Sequence, residues 1–169
     1  IDALETLMKR LDKAVVHNTS AKAAVDIALY DLYGQLLGAP VYKLLGGKKR
    51  SELRAYASQL QFGWGPEIIP QLSLEDYAQA GRDAVADGYD AVKYDFFTFA
   101  PDGRKYGDED RVGLKDPKTI RLLTERVEAV RAAVGPDVDI IVENHSWTDA
   151  GSAIQYGNAV KHCTIFYFE

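Results

Sequence analysis

The sequence lacks several features that would fix a location or a chemistry. It has one cysteine in 169 residues, so no disulfide can form within the chain, and Cys163 lies in an apolar run that is typical of a core residue. No segment approaches the roughly 18 apolar residues that a membrane helix needs. The first residues also lack the basic and then apolar pattern of a signal peptide. We therefore expect no membrane contact and a cytoplasmic location.

Long basic stretches are absent as well. The formal net charge is -5 and the sequence pI is near 5.2, and the only basic run, residues 48–50, is too short to follow a phosphate backbone. We therefore expect no nucleic-acid partner. Hydrophobic residues make up 47% of the chain, which at this length is enough for one sizeable core. The composition predicts a globular protein.

The first third of the sequence predicts one amphipathic helix followed by a boundary. Apolar residues recur at helical spacing from Ser20, the predicted N-cap, and the helix is predicted to end near Gly38. Pro40 restarts the chain, and two glycines break the next apolar segment before a charged turn. We predict a domain boundary at that turn, which divides the chain into residues 1–50 and 51–169.

After this boundary, short apolar runs alternate with amphipathic helices. This alternation is typical of βα repeats around a parallel sheet. We predict strands at residues 54–61, 91–97, 139–144 and 164–169, and helices at residues 74–87, 117–133 and 149–161. The long polar loop 100–115 is predicted to form part of an active-site rim, because loops of this length in compact domains are usually functional or mobile.

The predicted strands fall short of a complete barrel. Four βα strands make only half of a closed eight-stranded barrel and leave a sheet edge exposed. The missing half has to come from the same polypeptide or from another chain. We favour the first and expect the 169 residues to be a piece of a longer protein. Alone, such a piece is expected to lack turnover.

Charged side chains stand at the ends of the predicted strands. Alternate residues of a strand face the same side, so Lys93 and Asp95 are expected to project together, and so are Glu143 and His145. Burying these groups is costly unless they pair or meet a substrate or a metal. Lys93 and Asp95 therefore form either a structural ion pair or part of a site. A carboxylate and an imidazole at one strand end suit a metal ligand beside an acid or base.

Glu169 adds a second carboxylate at a neighbouring strand end. It follows the apolar run 165–168, and together with Glu143 it is suited to a hard cation such as Mg²⁺, which prefers oxygen ligands. The alternative is that Glu169 is an ordinary surface residue. His145 has a similar alternative, which is a hydrogen-bonding role at the rim without catalysis.

A longer motif lies just before the predicted boundary. It comprises residues 24–34, 37–42 and 44–47, which read AVDIALYDLYG, LGAPVY and LLGG. This motif resembles the segment that joins the capping domain to the barrel in the mandelate racemase and muconate-cycloisomerase branch of the enolase superfamily. The resemblance extends over essentially the whole chain. It implies an α/β fold in which the helical end of an α+β capping domain precedes the first half of a TIM-type (β/α) barrel.

The resemblance also implies roles for the charged residues. This branch holds Mg²⁺ with carboxylates, and its first two ligands correspond to Glu143, where Asp is usual, and to Glu169. A third ligand and the general base are expected beyond the end of this chain. Lys93 is implied to bind or neutralise the substrate carboxylate, and Asp95 stands where a second lysine is common. His145 matches the histidine that, in acid-sugar dehydratases, protonates the departing hydroxyl group.

These roles predict an enzyme that abstracts the proton alpha to a carboxylate. The leading prediction is a Mg²⁺-dependent sugar-acid dehydratase, a hydro-lyase that forms a 2-keto-3-deoxy acid. Its partner is a small carboxylate substrate, and a homo-oligomer is expected. The alternatives are a racemase, epimerase or cycloisomerase of the same superfamily, and a fragment without catalysis. His145 and the lack of a lysine at position 95 favour dehydration.

Overall fold

A computed structural model describes residues 2–169, and the chain falls into two units, Ile1–Leu53 and Arg54–Glu169. In the described part of the first unit there are three helices, α1 (Asp2–Ala14), α2 (Thr19–Leu37) and α3 (Val41–Leu44). The helix predicted from Ser20 corresponds to α2, so its existence is confirmed.

The ends of α2 follow from local backbone geometry. Its N-cap is Asn18 and not the predicted Ser20; Asn18 has a left-handed backbone, and its side chain makes no capping hydrogen bond. At the other end, Gly38 is left-handed with φ of 59°, and its N–H donates to the carbonyl of Gln35. Glycine adopts this conformation without a Cβ clash. The predicted end of the helix is therefore confirmed, whereas the predicted N-cap was wrong.

The second unit is built around a parallel sheet. Its strands are β1 (Ala91–Tyr94), β2 (Asp139–Val142) and β3 (Ile165–Phe168), in the spatial order β1-β2-β3. Its helices are α4 (Leu74–Ala86), α5 (Asp108–Arg111), α6 (Pro117–Val134) and α7 (Ala150–Val160). Strands and helices alternate along the chain, so the predicted α/β class is confirmed. Within the described residues the sheet is open and does not close into a barrel.

The strand predicted at residues 54–61 was wrong. Ala57 alone of this stretch pairs with the sheet, through backbone hydrogen bonds of 2.9 and 2.7 Å to β1. Gln59 has a left-handed backbone with φ of 61°, and a 3-10 turn over Leu60–Phe62 follows it. A strand requires an extended backbone, so this turn ends the pairing after one residue.

The three strands of the sheet end directly before three of the predicted site residues. Asp95, Glu143 and Glu169 are the first residues after β1, β2 and β3, respectively. The last residues of the three strands are paired in register across the sheet. The three carboxylates therefore follow one another along the carboxyl edge of the sheet, where parallel α/β sheets place their ligands.

Side-chain caps determine where the longer helices of this unit begin. Ser73 accepts the N–H of Asp76, and the Asp76 carboxylate accepts the N–H of Ser73, which forms a capping box at α4. Asp116 and Asp149 accept backbone N–H groups at the starts of α6 and α7. The predicted bounds of these three helices are confirmed to within one residue. None of the helices in residues 2–169 is both long and apolar enough to cross a membrane.

Apolar side chains from β1 and β2 pack with those of α4, α6 and α7 in one core. Tyr94 lies in this core, where its hydroxyl donates to the Tyr77 carbonyl at 2.9 Å and its ring stacks on Phe96. Buried Arg126 of α6 donates to the carbonyls of Phe96 and Phe99, both at 2.7 Å. These contacts fix the turn that follows β1.

Gly81 of α4 packs so close to Tyr94 and Val134 that a larger residue does not fit there. A Cβ there would lie 2.9 Å from the Tyr94 hydroxyl and 2.9 Å from a methyl group of Val134. A Cβ at Gly157 of α7 would meet nothing closer than 3.8 Å. We expect Gly81→Ala to lower the free energy of unfolding by about 1–3 kcal/mol through overpacking. Gly157→Ala is expected to raise it by up to about 1 kcal/mol, because alanine favours helix.

Urea unfolding of the two variants beside the natural protein measures both changes. The two substitutions add the same methyl group to a helix, so the second is a matched control for the first. Equal effects of the two variants would contradict the close packing inferred at Gly81.

Candidate active site

Four of the predicted residues line one small cavity at the carboxyl edge of the sheet. The cavity has a volume of about 160 Å³, and its lining comprises Lys93, Asp95, Glu143 and His145 together with Ser58, Gln59 and Gln61. The fifth predicted residue, Glu169, joins them through an ion pair with Lys93. The structure therefore brings all five predicted residues together.

Lys93 connects the two carboxylates that were predicted to bind metal. Its Nζ lies 2.9 Å from Oε2 of Glu143 and 2.8 Å from Oε2 of Glu169, and its side chain is 11% exposed. The ammonium also lies 5.0 Å from the centre of the Tyr56 ring, a cation–π distance. Burial lowers the pKa of Lys93, but hydrogen bonds to Glu169 and Glu143 outweigh burial and raise that pKa above its ordinary value. Lys93 therefore holds its proton and acts as a cation.

Glu143 is held at both of its oxygens. Oε2 pairs with Lys93, and Oε1 accepts the backbone N–H of His145 at 2.7 Å. Burial raises the pKa of Glu143, but these two contacts outweigh burial and lower the pKa overall. Glu169 is more open, with 46% of its side chain exposed. Glu143 is thus fixed and ionised, while Glu169 pairs with the same ammonium and is more exposed.

The donors at this edge suit a divalent cation. Two carboxylates converge on one ammonium, so their oxygens lie within reach of a single cation. Mg²⁺ prefers oxygen ligands and is commonly held by one or two carboxylates, with water completing its shell. Among residues 2–169, no group of three or more acidic, histidine or cysteine side chains is arranged to hold a metal ion. The two carboxylates fit Mg²⁺ as a partial set of ligands.

His145 lies beside Asp95 at the same edge. Its Nδ1 is 3.2 Å from Oδ2 of Asp95 and 3.8 Å from Oε1 of Glu143, and 45% of its side chain is exposed. A carboxylate next to Nδ1 favours a proton on that nitrogen, which leaves Nε2 for a ligand. His145 and Ser146 both have left-handed backbones, with φ of 52° and 56°. Such conformations are uncommon for residues other than glycine and cluster at functional sites.

Arg111 belongs to this site, although the sequence patterns did not identify it. Its Nη1 donates to Oδ2 of Asp95 at 3.1 Å, and the two side chains are 1% and 2% exposed. Its guanidinium centre lies 4.7 Å from the Trp147 ring centre and 5.6 Å from the Phe97 ring centre. Arg111 comes from the loop predicted to form a rim. A buried carboxylate such as Asp95 requires a cation nearby, and this requirement was the signal for a residue such as Arg111.

A second cavity adjoins the first. It has a volume of about 210 Å³ and shares Asp95 and His145 with the first cavity. Thr98, Lys105 and Trp147 are among the residues that line only this second cavity. His145 therefore lies where the two cavities meet.

Two family profiles match the chain. Residues 1–46 match the mandelate racemase / muconate lactonizing enzyme N-terminal domain. Residues 76–169, more than half of the chain, match the enolase C-terminal domain-like family. The chain belongs to the enolase superfamily. Within this superfamily it falls in the mandelate racemase and muconate lactonizing enzyme branch, so the resemblance inferred from the sequence motif is confirmed.

Relatives in the enolase superfamily carry more than one activity. The chain is 36% identical over 90% of its length to D-gluconate dehydratase from Thermoproteus tenax, of which it covers 27%. It is 38% identical over 96% of its length to L-Ala-D/L-Glu epimerase from Clostridium acetobutylicum, of which it covers 37%. The crystal structure of an enolase superfamily member from Salmonella Typhimurium matches with a TM-score of 0.80 and 46% identity, over 85% of this chain and 37% of that chain. The chain thus spans between 27% and 37% of the length of these relatives.

Asp149 ties the loop that carries Arg111 to the start of α7. Its carboxylate accepts the backbone N–H groups of Gly113 and Ser152, and these contacts lower its pKa from 3.8 to about 2. Because the folded pKa lies below the unfolded one, the stabilisation is fully present above pH 3.8 and is lost as the pH falls toward 2. We expect Asp149→Asn to be less stable than the natural protein above this window, and the difference to shrink within it.

Thermal unfolding at several pH values across that window measures the difference. Asp137→Asn, at an exposed position outside this contact, serves as the control and is expected to follow the natural protein. A stability difference for Asp149→Asn that is independent of pH would contradict the assignment.

Proposed function

We propose that the whole protein containing this chain is a Mg²⁺-dependent sugar-acid dehydratase. The observation that carries the proposal is His145, a half-exposed imidazole whose Nδ1 faces Asp95 next to Glu143. An acid at this place is suited to protonate a hydroxyl group on the carbon next to the one that loses its proton. The identity to D-gluconate dehydratase supports a sugar acid as the substrate class.

The reaction requires charge compensation and then an acid. The alpha proton of a carboxylate is weakly acidic, so its removal depends on stabilising the new negative charge. Lys93 keeps its proton in ion pairs with Glu143 and Glu169, and we assign it to neutralising the substrate carboxylate and not to abstracting the proton. A general base other than Lys93 takes the alpha proton. His145, protonated on both ring nitrogens, then donates its Nε2 proton to the neighbouring hydroxyl group, the C–O bond breaks, and water leaves. The resulting enol converts to a 2-keto-3-deoxy acid.

Glu143 and Glu169 are the residues that would hold the metal in this proposal. When bound, the divalent cation supplies a positive field that stabilises the second negative charge on the substrate carboxylate. Lys93 already places one positive charge between the same two carboxylates. This part of the sheet edge is therefore organised around a cation.

An epimerase or racemase is the second candidate. The 38% identity to L-Ala-D/L-Glu epimerase favours it. Such an enzyme returns a proton to the same carbon from the opposite face and expels no hydroxyl group. At the end of β1 the second polar residue is Asp95 and not a lysine, and Asp95 is buried against Arg111. We therefore place dehydration first.

The dehydratase proposal is tested with the complete polypeptide and a panel of aldonic and aldaric acids, with and without Mg²⁺. We expect 2-keto acid only when the metal is present. His145→Ala is expected to lower the rate of keto-acid formation by about 10²- to 10⁴-fold, because a general acid is lost. His162→Ala, at an exposed histidine paired with Glu128, is the control and is expected to keep the natural rate.

Two outcomes would count against dehydration by His145. Exchange of the alpha proton for deuterium without keto acid from any substrate would favour the epimerase. Equal keto-acid formation by His145→Ala and the natural protein would show that another group expels the hydroxyl.

Metal binding gives a second test that does not depend on turnover. Mg²⁺ is titrated calorimetrically into the metal-free polypeptide. Glu143→Gln and Glu169→Gln are each expected to weaken binding about tenfold or more, because each removes a charged oxygen ligand. Glu128→Gln, at an exposed carboxylate outside the site, is expected to bind like the natural protein. Unchanged affinity in the first two variants would remove both residues from the proposed ligand set.

A further inference from the structure

Asp95 is shared between two basic side chains. Its Oδ2 lies 3.1 Å from Nη1 of Arg111 and 3.2 Å from Nδ1 of His145. Its Oδ1 accepts the backbone N–H of Phe97 at 2.9 Å, and its own backbone N–H donates to Oε1 of Gln61 at 3.2 Å. The carboxylate is held from several sides, so its orientation is set before any ligand binds.

Of these three groups, only His145 has a large exposed surface. Arg111 and Asp95 are almost completely buried, whereas His145 is nearly half exposed and lines both cavities. A substrate in either cavity can therefore contact the imidazole. Arg111 lines the second cavity but offers a ligand almost no accessible surface, and its ion pair with Asp95 connects it to His145.

Charge compensation explains why an arginine is needed behind Asp95. A buried carboxylate without a cation is costly. Lys93, the neighbouring cation, is engaged with Glu143 and Glu169. Among the ion pairs of the described residues, Arg111 is thus the permanent positive charge that Asp95 contacts.

Aromatic rings fix the guanidinium in place. It lies 4.7 Å from the centre of the Trp147 ring, and that ring centre lies 5.6 Å from the His145 ring centre. A planar guanidinium can stack flat on a ring while its N–H groups pair with a carboxylate. Trp147 therefore contacts both ends of the series Arg111, Asp95 and His145.

We propose that Arg111 is a positioning residue for His145 and acts on it through Asp95. The inference rests on the proposed function, in which His145 donates the proton that expels water. Asp95 orients the imidazole so that Nδ1 faces the Asp95 carboxylate and Nε2 faces the substrate hydroxyl. Arg111 fixes Asp95 and offsets its charge without touching the reacting atoms.

Arg111→Met in the complete polypeptide separates this role from a purely structural one. Two rates are measured on one sugar acid, the formation of 2-keto acid and the exchange of the alpha proton in deuterium oxide. We expect keto-acid formation to fall about 10- to 100-fold, as for a misplaced catalytic group, while exchange is retained. Loss of both rates in parallel would overturn the proposal.

Further variants keep the test informative if Arg111→Met folds poorly. Asp95→Asn interrupts the same series at its centre and is expected to separate the two rates in the same way. Arg111→Lys keeps the charge and is expected to restore part of the keto-acid rate. Arg104→Met, at an exposed arginine of the same loop that pairs with Asp110, is the matched control and is expected to keep both rates.

The double variant of Arg111→Met with Asp95→Asn tests whether the two residues act through one group. We expect little loss of the keto-acid rate beyond that of either single variant, because residues in one series are not additive. Losses that multiply would mean that the two residues act independently and would overturn the proposal.

A measurement without substrate distinguishes failure of this inference from failure of the proposed function. NMR of protein labelled with ¹⁵N-histidine reports which ring nitrogen of His145 carries the proton, and His145→Gln assigns the signal. We expect a proton on Nδ1 in the natural protein and loss of this preference in Asp95→Asn and Arg111→Met. If this holds while no sugar acid yields keto acid, the positioning stands and the dehydratase function fails. An unchanged tautomer in both variants overturns the positioning.

Discussion

Three carboxylates, Asp95, Glu143 and Glu169, lie along one edge of a small parallel sheet, and their negative charges have to be compensated. Lys93 compensates the second and third, and Arg111 compensates the first. Buried or half-buried charges are tolerated only when they are paired. Both cations are therefore required for the three carboxylates to lie together at this edge. The strand ends and the loop that supplies Arg111 depend on one another.

Sequence patterns identified the strand-end residues but not the cation contributed by the loop. The alternation of side chains placed Lys93 and Asp95 on one side of a strand, and both line the cavity, while Tyr94 lies in the core. Arg111 lies in a short run of charged residues, a pattern that predicts a solvent-exposed segment. Its burial depends on Trp147, which is far away in sequence. A local pattern carries no information on such a contact.

The prediction at residues 54–61 failed for a related reason. The stretch is polar enough and long enough for an edge strand, yet Gln59 turns the backbone after Ala57 has paired with β1. This turn allows the Gln61 amide oxygen to accept the backbone N–H of Asp95. Gln61, which would have extended the sheet as part of a strand, instead holds the backbone of Asp95 in the site. Tertiary contacts have here overridden the local preference for a strand.

The two ion pairs of Lys93 also respond differently to dissolved salt. Ions screen exposed charges strongly and buried charges weakly. The contact from Lys93 to Glu143 joins two largely buried groups, whereas the contact to Glu169 ends at a side chain that is nearly half exposed. Rising ionic strength therefore weakens the contact of Lys93 with Glu169 more than its contact with Glu143. The ionic composition of the surroundings thus acts on this side-chain contact, while the backbone hydrogen bonds of Glu169 with Val142 and Asn144, of 2.9 and 2.8 Å, keep the end of β3 on the sheet.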